Sequence, residues 1–125
     1  MPKVNKITKD LAHKVIKLEQ PIHVLAVCSG GRTVGKYLKQ YLSARGISTT
    51  YNEVWTNIIR GKASVWKTSF KAKNYKGTAL IVDDVIWKGR SVNATKKMLL
   101  GMKKKRVYTA TLLDCNHKAD FSIFN

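Results

Sequence analysis

Acidic residues are scarce in this chain. Seven aspartates and glutamates stand against twenty-four lysines and arginines, a formal net charge of +17 over 125 residues. Such a surface attracts polyanions, whether nucleic acid, anionic membrane or phosphorylated small molecules, without specifying which. A lysine-rich source proteome would give the same charge with no specific partner, and the lysines are spread along the whole chain. Cysteine is also rare: Cys28 and Cys115 lie in separate apolar segments without metal-ligand or redox spacing. They read as two reduced core thiols of a cytoplasmic protein. His13, His23 and His117 share no ligand spacing either. No apolar run approaches the ~20 residues of a membrane helix. The opening Met1-Pro2-Lys3-Val4-Asn5-Lys6 has no apolar core behind it, so no secretory leader is expected.

The residues present are those of a folded globule, with a hydrophobic fraction of 44% and three tryptophans. No repeat, Gly/Ser linker or low-complexity tract interrupts the chain, which predicts a single domain over 1–125. Ile7, Leu11, Val15 and Leu18 recur at helical spacing before Pro21. Residues 22–28 form a nearly continuous apolar run, the mark of a strand buried on both faces. Val34, Tyr37, Leu38, Tyr41 and Leu42 predict a helix that Gly46 ends. Residues 47–55 read as a second strand, 79–85 as a third, 92–102 as a helix capped by Ser91, and 106–113 as a fourth strand. Between 56 and 77 periodicity is weak. The alternation of strand and helix predicts an α/β domain with a mostly parallel sheet flanked by helices. Ligands of such sheets sit beyond the carboxyl ends of the strands.

Two of the seven acids, Asp83 and Asp84, stand side by side behind an apolar run and are followed by Lys88-Gly89-Arg90-Ser91. Ionised carboxylates accept hydrogen bonds and cannot donate them, which suits a ligand's vicinal hydroxyls. Gly89 and the start of a helix offer backbone N–H groups to a phosphate, and Lys88 and Arg90 add positive charge. Together these describe a ribose 5-phosphate. A generic helix start, with one aspartate capping or pairing with a lysine, gives the same residues. Ser29-Gly30-Gly31-Arg32 ends the first strand and could hold a second phosphate group, or be an ordinary strand-to-helix turn.

The stretch ALIVDDVIWKGRS, residues 79–91, resembles the phosphoribosyl pyrophosphate (PRPP) motif of the type I phosphoribosyltransferases. Residues 27–35 resemble that family's pyrophosphate loop. Residues 7–23 are similar to the opening of xanthine-guanine enzymes, and 117–124 resemble the base-holding segment of hypoxanthine-guanine enzymes. The resemblance implies a type I phosphoribosyltransferase fold with a reduced C-terminal hood. It implies that Asp83 and Asp84 are catalytic and hold the ribose hydroxyls and Mg²⁺. Trp87, Lys88, Gly89, Arg90 and Ser91 would surround the 5-phosphate; Ser29, Gly30, Gly31 and Arg32 would hold pyrophosphate. Phe121 would stack on the base, with the backbone at Ser122 reading its edge. The stretch 56–77 falls where the family has a flexible closing loop.

The implied activity joins a nucleobase, a 6-oxopurine as in purine salvage, to PRPP and releases pyrophosphate. A homodimer or higher homo-oligomer, non-specific nucleic-acid binding and no membrane association are expected with it. Trp87 departs from the pattern, standing where purine enzymes carry the aspartate that is the candidate proton acceptor. That departure and the +17 charge favour the alternative, a non-catalytic PRPP- or nucleotide-sensing regulator or nucleic-acid-binding module on the same fold.

Overall fold

The computed structural model describes residues 2–71, 73 and 76–124. Met1, Ala72, Asn74, Tyr75 and Asn125 lie outside the described residues. These are the two ends of the domain expected over 1–125 and part of the stretch 56–77. The elements run α1 (Pro2–Val15), β1 (Ile22–Cys28), α2 (Arg32–Ala44), β2 (Thr49–Ile59), β3 (Lys62–Thr68), β4 (Thr78–Ile86), α3 (Arg90–Gly101), β5 (Val107–Asp114) and β6 (Phe121–Phe124). They form one six-stranded sheet in the order β3-β2-β1-β4-β5-β6. Only the β2–β3 pair is antiparallel.

The mostly parallel α/β sheet is the one the alternating pattern predicts. Its apolar strands are covered on both faces. On one face, Leu11 and Val15 of α1 and Leu38 and Leu42 of α2 pack on Val24, Leu80, Val82 and Ala110. On the other, Val92 and Leu99 of α3 pack on Leu25, Val27, Val54 and Ile81. Successive strand residues alternate between these two cores.

Two helices end in the same way. Gly46 (φ 79°) follows α2, with Ile47 N–H donating to the Leu42 carbonyl and Gly46 N–H to that of Ser43. Lys103 (φ 62°) follows α3, with Lys104 N–H donating to Leu99 and Lys103 N–H to Leu100. Both are Schellman turns, whose left-handed position favours glycine.

The structure corrects the sequence reading in two places. The stretch after residue 55 is no irregular loop: β2 runs on to Ile59 and turns at Arg60-Gly61 into β3. Ile59 pairs with Lys62 and both turn residues have positive φ (52° and 78°), the two-residue turn that suits a twisted hairpin. The segment after β5, expected to hold a base, contains a sixth strand.

Candidate active site

Between β1 and β4 the chain reverses its direction of winding across the sheet, since β1 leads outward to β2 and β4 leads outward to β5. A crevice opens at the carboxyl ends of strands at such a point. Ala26 of β1 lies opposite Val82 of β4, which sets the turn after β1 over the acids that end β4. The two turns meet. A Cβ on Gly30 would lie 2.6 Å from Asp84 Oδ1 and 3.2 Å from Asp83 Oδ1. A Cβ on Gly31 would lie 2.3 Å from the Val82 carbonyl oxygen. The Gly-Gly pair is therefore required by close approach, which no larger residue permits. Gly31 N–H donates to Val27 O (2.7 Å) and Arg32 N–H to Ser29 O (3.2 Å), closing the loop. The Cys28–Ser29 peptide bond is cis.

Each acid accepts the amide that follows it: Asp84 N–H donates to Asp83 Oδ1 (2.9 Å), and Val85 N–H to Asp84 Oδ1 (2.8 Å). Burial, with the hydrogen bond and charge of Asp84, pushes the Asp83 carboxyl up to about 7. A carboxylate pair so placed gains from a cation or from hydroxyl donors.

The loop between β4 and α3 borders a cavity of about 260 Å³ lined by Asp83, Val85, Trp87, Gly89, Ser91 and Ile58. Gly89 (φ 74°) is the N-cap of α3 and contributes no side-chain cap. The first-turn amides, which lack intrahelical acceptors, are thus available to an anion. The expected cap by Ser91 is not formed. Ser91 lies inside the helix, and its hydroxyl accepts from Thr56 Oγ1 (2.8 Å), tying the hairpin to the loop. Lys88 and Arg90 are exposed, and Trp87 is 64% exposed.

Arg32 is held by Glu53 of β2, its Nε 3.1 Å from Oε2. The same oxygen accepts from Tyr51 Oη (2.8 Å). The Tyr51 bond and nearby cations hold Glu53 below the usual carboxylate range against the effect of burial. The backbone of Glu53 is fixed in turn by Ser69 and Thr68 at the end of β3.

Phe121 and Ser122, expected to hold the base, lie on β6. Phe121 lies level with Ala110, in mid-sheet, and packs on the core beneath α1 and α2 with its ring 6.0 Å from Tyr108. Strand alternation turns it away from the cavity. Ser122 O accepts from Lys14 Nζ of α1 (2.7 Å). A different set of residues faces the site. Val85 pairs with Leu113 and Leu113 with Phe124, so the three form a row across β4, β5 and β6 on the face of Asp83. They are 43%, 36% and 50% exposed. Sequence reading missed this row because register across three strands is not visible in one segment. The turn between β5 and β6 closes over the β4–α3 loop: Cys115 N–H donates to Ile86 O (2.9 Å), and Asn116 Nδ2 to Trp87 O. Asp114, buried, accepts the amides of Lys118 and Ala119 (2.8 Å each). Lys118 is brought beside Gly89, its Cγ 3.6 Å from where a Cβ would stand.

The family model for the phosphoribosyl transferase domain matches residues 1–125. The chain belongs to the phosphoribosyltransferase domain family. With that membership comes the enzyme class the resemblance implied. The bifunctional protein PyrR of Macrococcus caseolyticus is 28% identical over 129 residues, covering 92% of this chain and 72% of that protein. Among solved structures, a purine phosphoribosyltransferase of Pyrococcus horikoshii superposes with a TM-score of 0.80 at 18% identity, over 97% of this chain and 80% of that one. A hypoxanthine-guanine phosphoribosyltransferase of Bacillus anthracis gives 0.76 at 22%, over 98% and 77%. These structures share the fold of this phosphoribosyltransferase. Among its described residues no helix is long and apolar enough to cross a membrane.

Proposed function

We propose that this phosphoribosyltransferase joins a 6-oxopurine to PRPP, giving the nucleoside 5′-monophosphate and pyrophosphate. The observation that carries the reading is the convergence of the Gly30-Gly31 loop on Asp83 and Asp84, within 2.6–3.2 Å of a Cβ at Gly30. One PRPP molecule spans that junction. Asp83 and Asp84 accept the ribose hydroxyls, the first-turn amides of α3 and Ser91 take the 5-phosphate, and the Ser29–Arg32 turn takes pyrophosphate. The bond from ribose C1 to pyrophosphate breaks, and a ring nitrogen of the base bonds to C1. With no carboxylate at Trp87, the base's N–H proton leaves to solvent or to the departing pyrophosphate. The exposed row Val85–Leu113–Phe124 is the apolar shelf for the base.

Mg²⁺ fits Asp83 and Asp84. No third His, Cys, Asp or Glu joins them among the described residues, and this ion is commonly held by one or two carboxylates plus substrate oxygens. When bound it supplies positive charge against the leaving pyrophosphate.

The tryptophan at position 87 and the +17 charge favour a second reading, a module that senses PRPP or a nucleotide without turnover. Product formation with PRPP, Mg²⁺ and a panel of hypoxanthine, guanine, xanthine, adenine and uracil separates the two. Turnover fastest with a 6-oxopurine is expected; tight PRPP binding with no product from any base supports the sensor. The double variant Asp83→Asn, Asp84→Asn should abolish PRPP binding while folding. Unchanged PRPP affinity by calorimetry refutes the site.

A further inference from the structure

The cluster Lys103-Lys104-Lys105-Arg106 has no part in the site described above, because it lies at the opposite, amino-terminal edge of the sheet, just before β5. There, where β1, β4 and β5 begin, a cleft of about 570 Å³ is lined by Lys76, Lys103, Lys105 and Arg106, with Pro21 and Gly77 in its wall. Among the described residues its one acid, Glu19, is paired with Arg106. Beside the cleft stands a further cation. Lys104 is only 2% exposed, and its Nζ donates to the carbonyls of Lys76 and Gly77 (3.1 Å each).

The negative end of α3 favours a cation in its last turn. That field acts within one turn and does not explain Lys76, which precedes β4. Nor does it explain the conformation of Lys103. The two Schellman turns make a natural comparison: α2 puts Gly46 at the left-handed position, whereas α3 puts Lys103 there (φ 62°), against the backbone preference. A lysine kept where glycine fits better, in the lining of a cationic cleft, points to a use for its charge. Among the described residues no aromatic lines the cleft, and those residues offer phosphate contacts without base stacking.

We infer that this cleft docks the phosphodiester backbone of a nucleic acid, independently of its sequence, on the edge of the molecule opposite the ribose-phosphate site. The +17 charge steers the polyanion in, and the cleft fixes where it is held.

The test uses fluorescence anisotropy of two labelled 20-nucleotide RNAs of unrelated sequence, titrated from low to moderate salt. The variant is Lys103→Gly with Lys105→Ser. Lys103→Gly removes a charge while relieving the left-handed backbone, so the melting temperature should hold or rise and unfolding cannot mimic the result. A control of equal net charge carries Lys9→Gln and Lys39→Gln on the helices. The cleft variant should bind both RNAs about tenfold more weakly, with the slope of log affinity against log salt reduced by about 1.5–2. PRPP binding should be unchanged and the control should lose little. Equal losses in the two variants would show that only overall charge matters. Absence of RNA binding by the parent protein at low salt would also overturn the inference. Inorganic tripolyphosphate binding the parent as tightly as RNA, and lost in the cleft variant, would make the cleft a small-anion site instead.

Discussion

Asp83 is the residue whose chemistry most directly exposes the site to measurement. Its folded carboxyl, pushed up to about 7, binds a proton that the unfolded chain has released above an ordinary value near 4. Between those limits the folded state holds more protons, so this group's contribution to stability falls as pH rises from 4 to 7 and is flat above. Asp83→Asn should therefore gain stability relative to the parent across that window, with a ceiling of about 4 kcal/mol. Urea unfolding at pH 4.5 and 7.5 checks it; an unchanging difference would contradict the raised pKa. In the proposed function Mg²⁺ and PRPP take the ionised form, so between pH 4 and 7 their binding is expected to release close to one proton. Calorimetry in buffers of different ionisation enthalpy reads that release. At this scale much of the site was legible. A doubled acid in an acid-poor chain and a Gly-Gly pair at a strand end both stand out in the sequence, and each lies at the junction of the two turns. Glu53 was not legible, because it meets Arg32 only across the β1–β2 pairing.

Among the elements, the hairpin was the least legible. Arg60-Gly61 is not the Asn-Gly or Asp-Gly signal of a two-residue turn, and the outer residues Ile58, Ile59 and Trp66 are exposed, which blurs the alternation of a half-buried strand. The helices and the buried strands β1, β4 and β5 were legible through apolar runs and helical spacing, to within a few residues. The hairpin carries ties to both loops, Glu53 to Arg32 and Thr56 to Ser91, with a register shift between Trp55 and Thr56 separating them. The turn between β5 and β6 has its own anchor in Asp114. Burial pushes this carboxyl up, but the amides of Ala119, Lys118 and Asn116 outweigh it and hold it below the ordinary range. Its stabilising effect is present above the unfolded value near 4 and is lost as pH falls through the lower folded value. Asp114→Ala strands the amides bonded to it and should destabilise the protein by about 2–4 kcal/mol. Denaturant unfolding at pH 7 measures this, and a loss below 0.5 kcal/mol would remove Asp114 from that role.

For the whole molecule, the register of β6 decides which aromatic residue faces the core and which the candidate site. Four residues are too few to show a period, so Phe121 and Phe124 could not be told apart in the sequence; the register on β5 separates them. Phe121→Ala should lower stability by about 2 kcal/mol, less than a fully buried phenylalanine because it is half-buried, and leave nucleotide affinity alone. Phe124→Ala should do the reverse, weakening base or nucleotide binding roughly tenfold or more with little change in melting temperature. Thermal unfolding and nucleotide titration of both variants test the assignment, and the opposite pattern would restore Phe121 to the site. Five residues of β4, from Thr78 to Val82, run between the wall of the cationic cleft at Gly77 and Asp83, roughly 20 Å of extended chain. That is about two and a half screening lengths at physiological salt. Charges at the amino edge therefore leave the protonation of Asp83 almost untouched, and substitutions there can accumulate over generations without retuning the chemistry at the other end of the same strand.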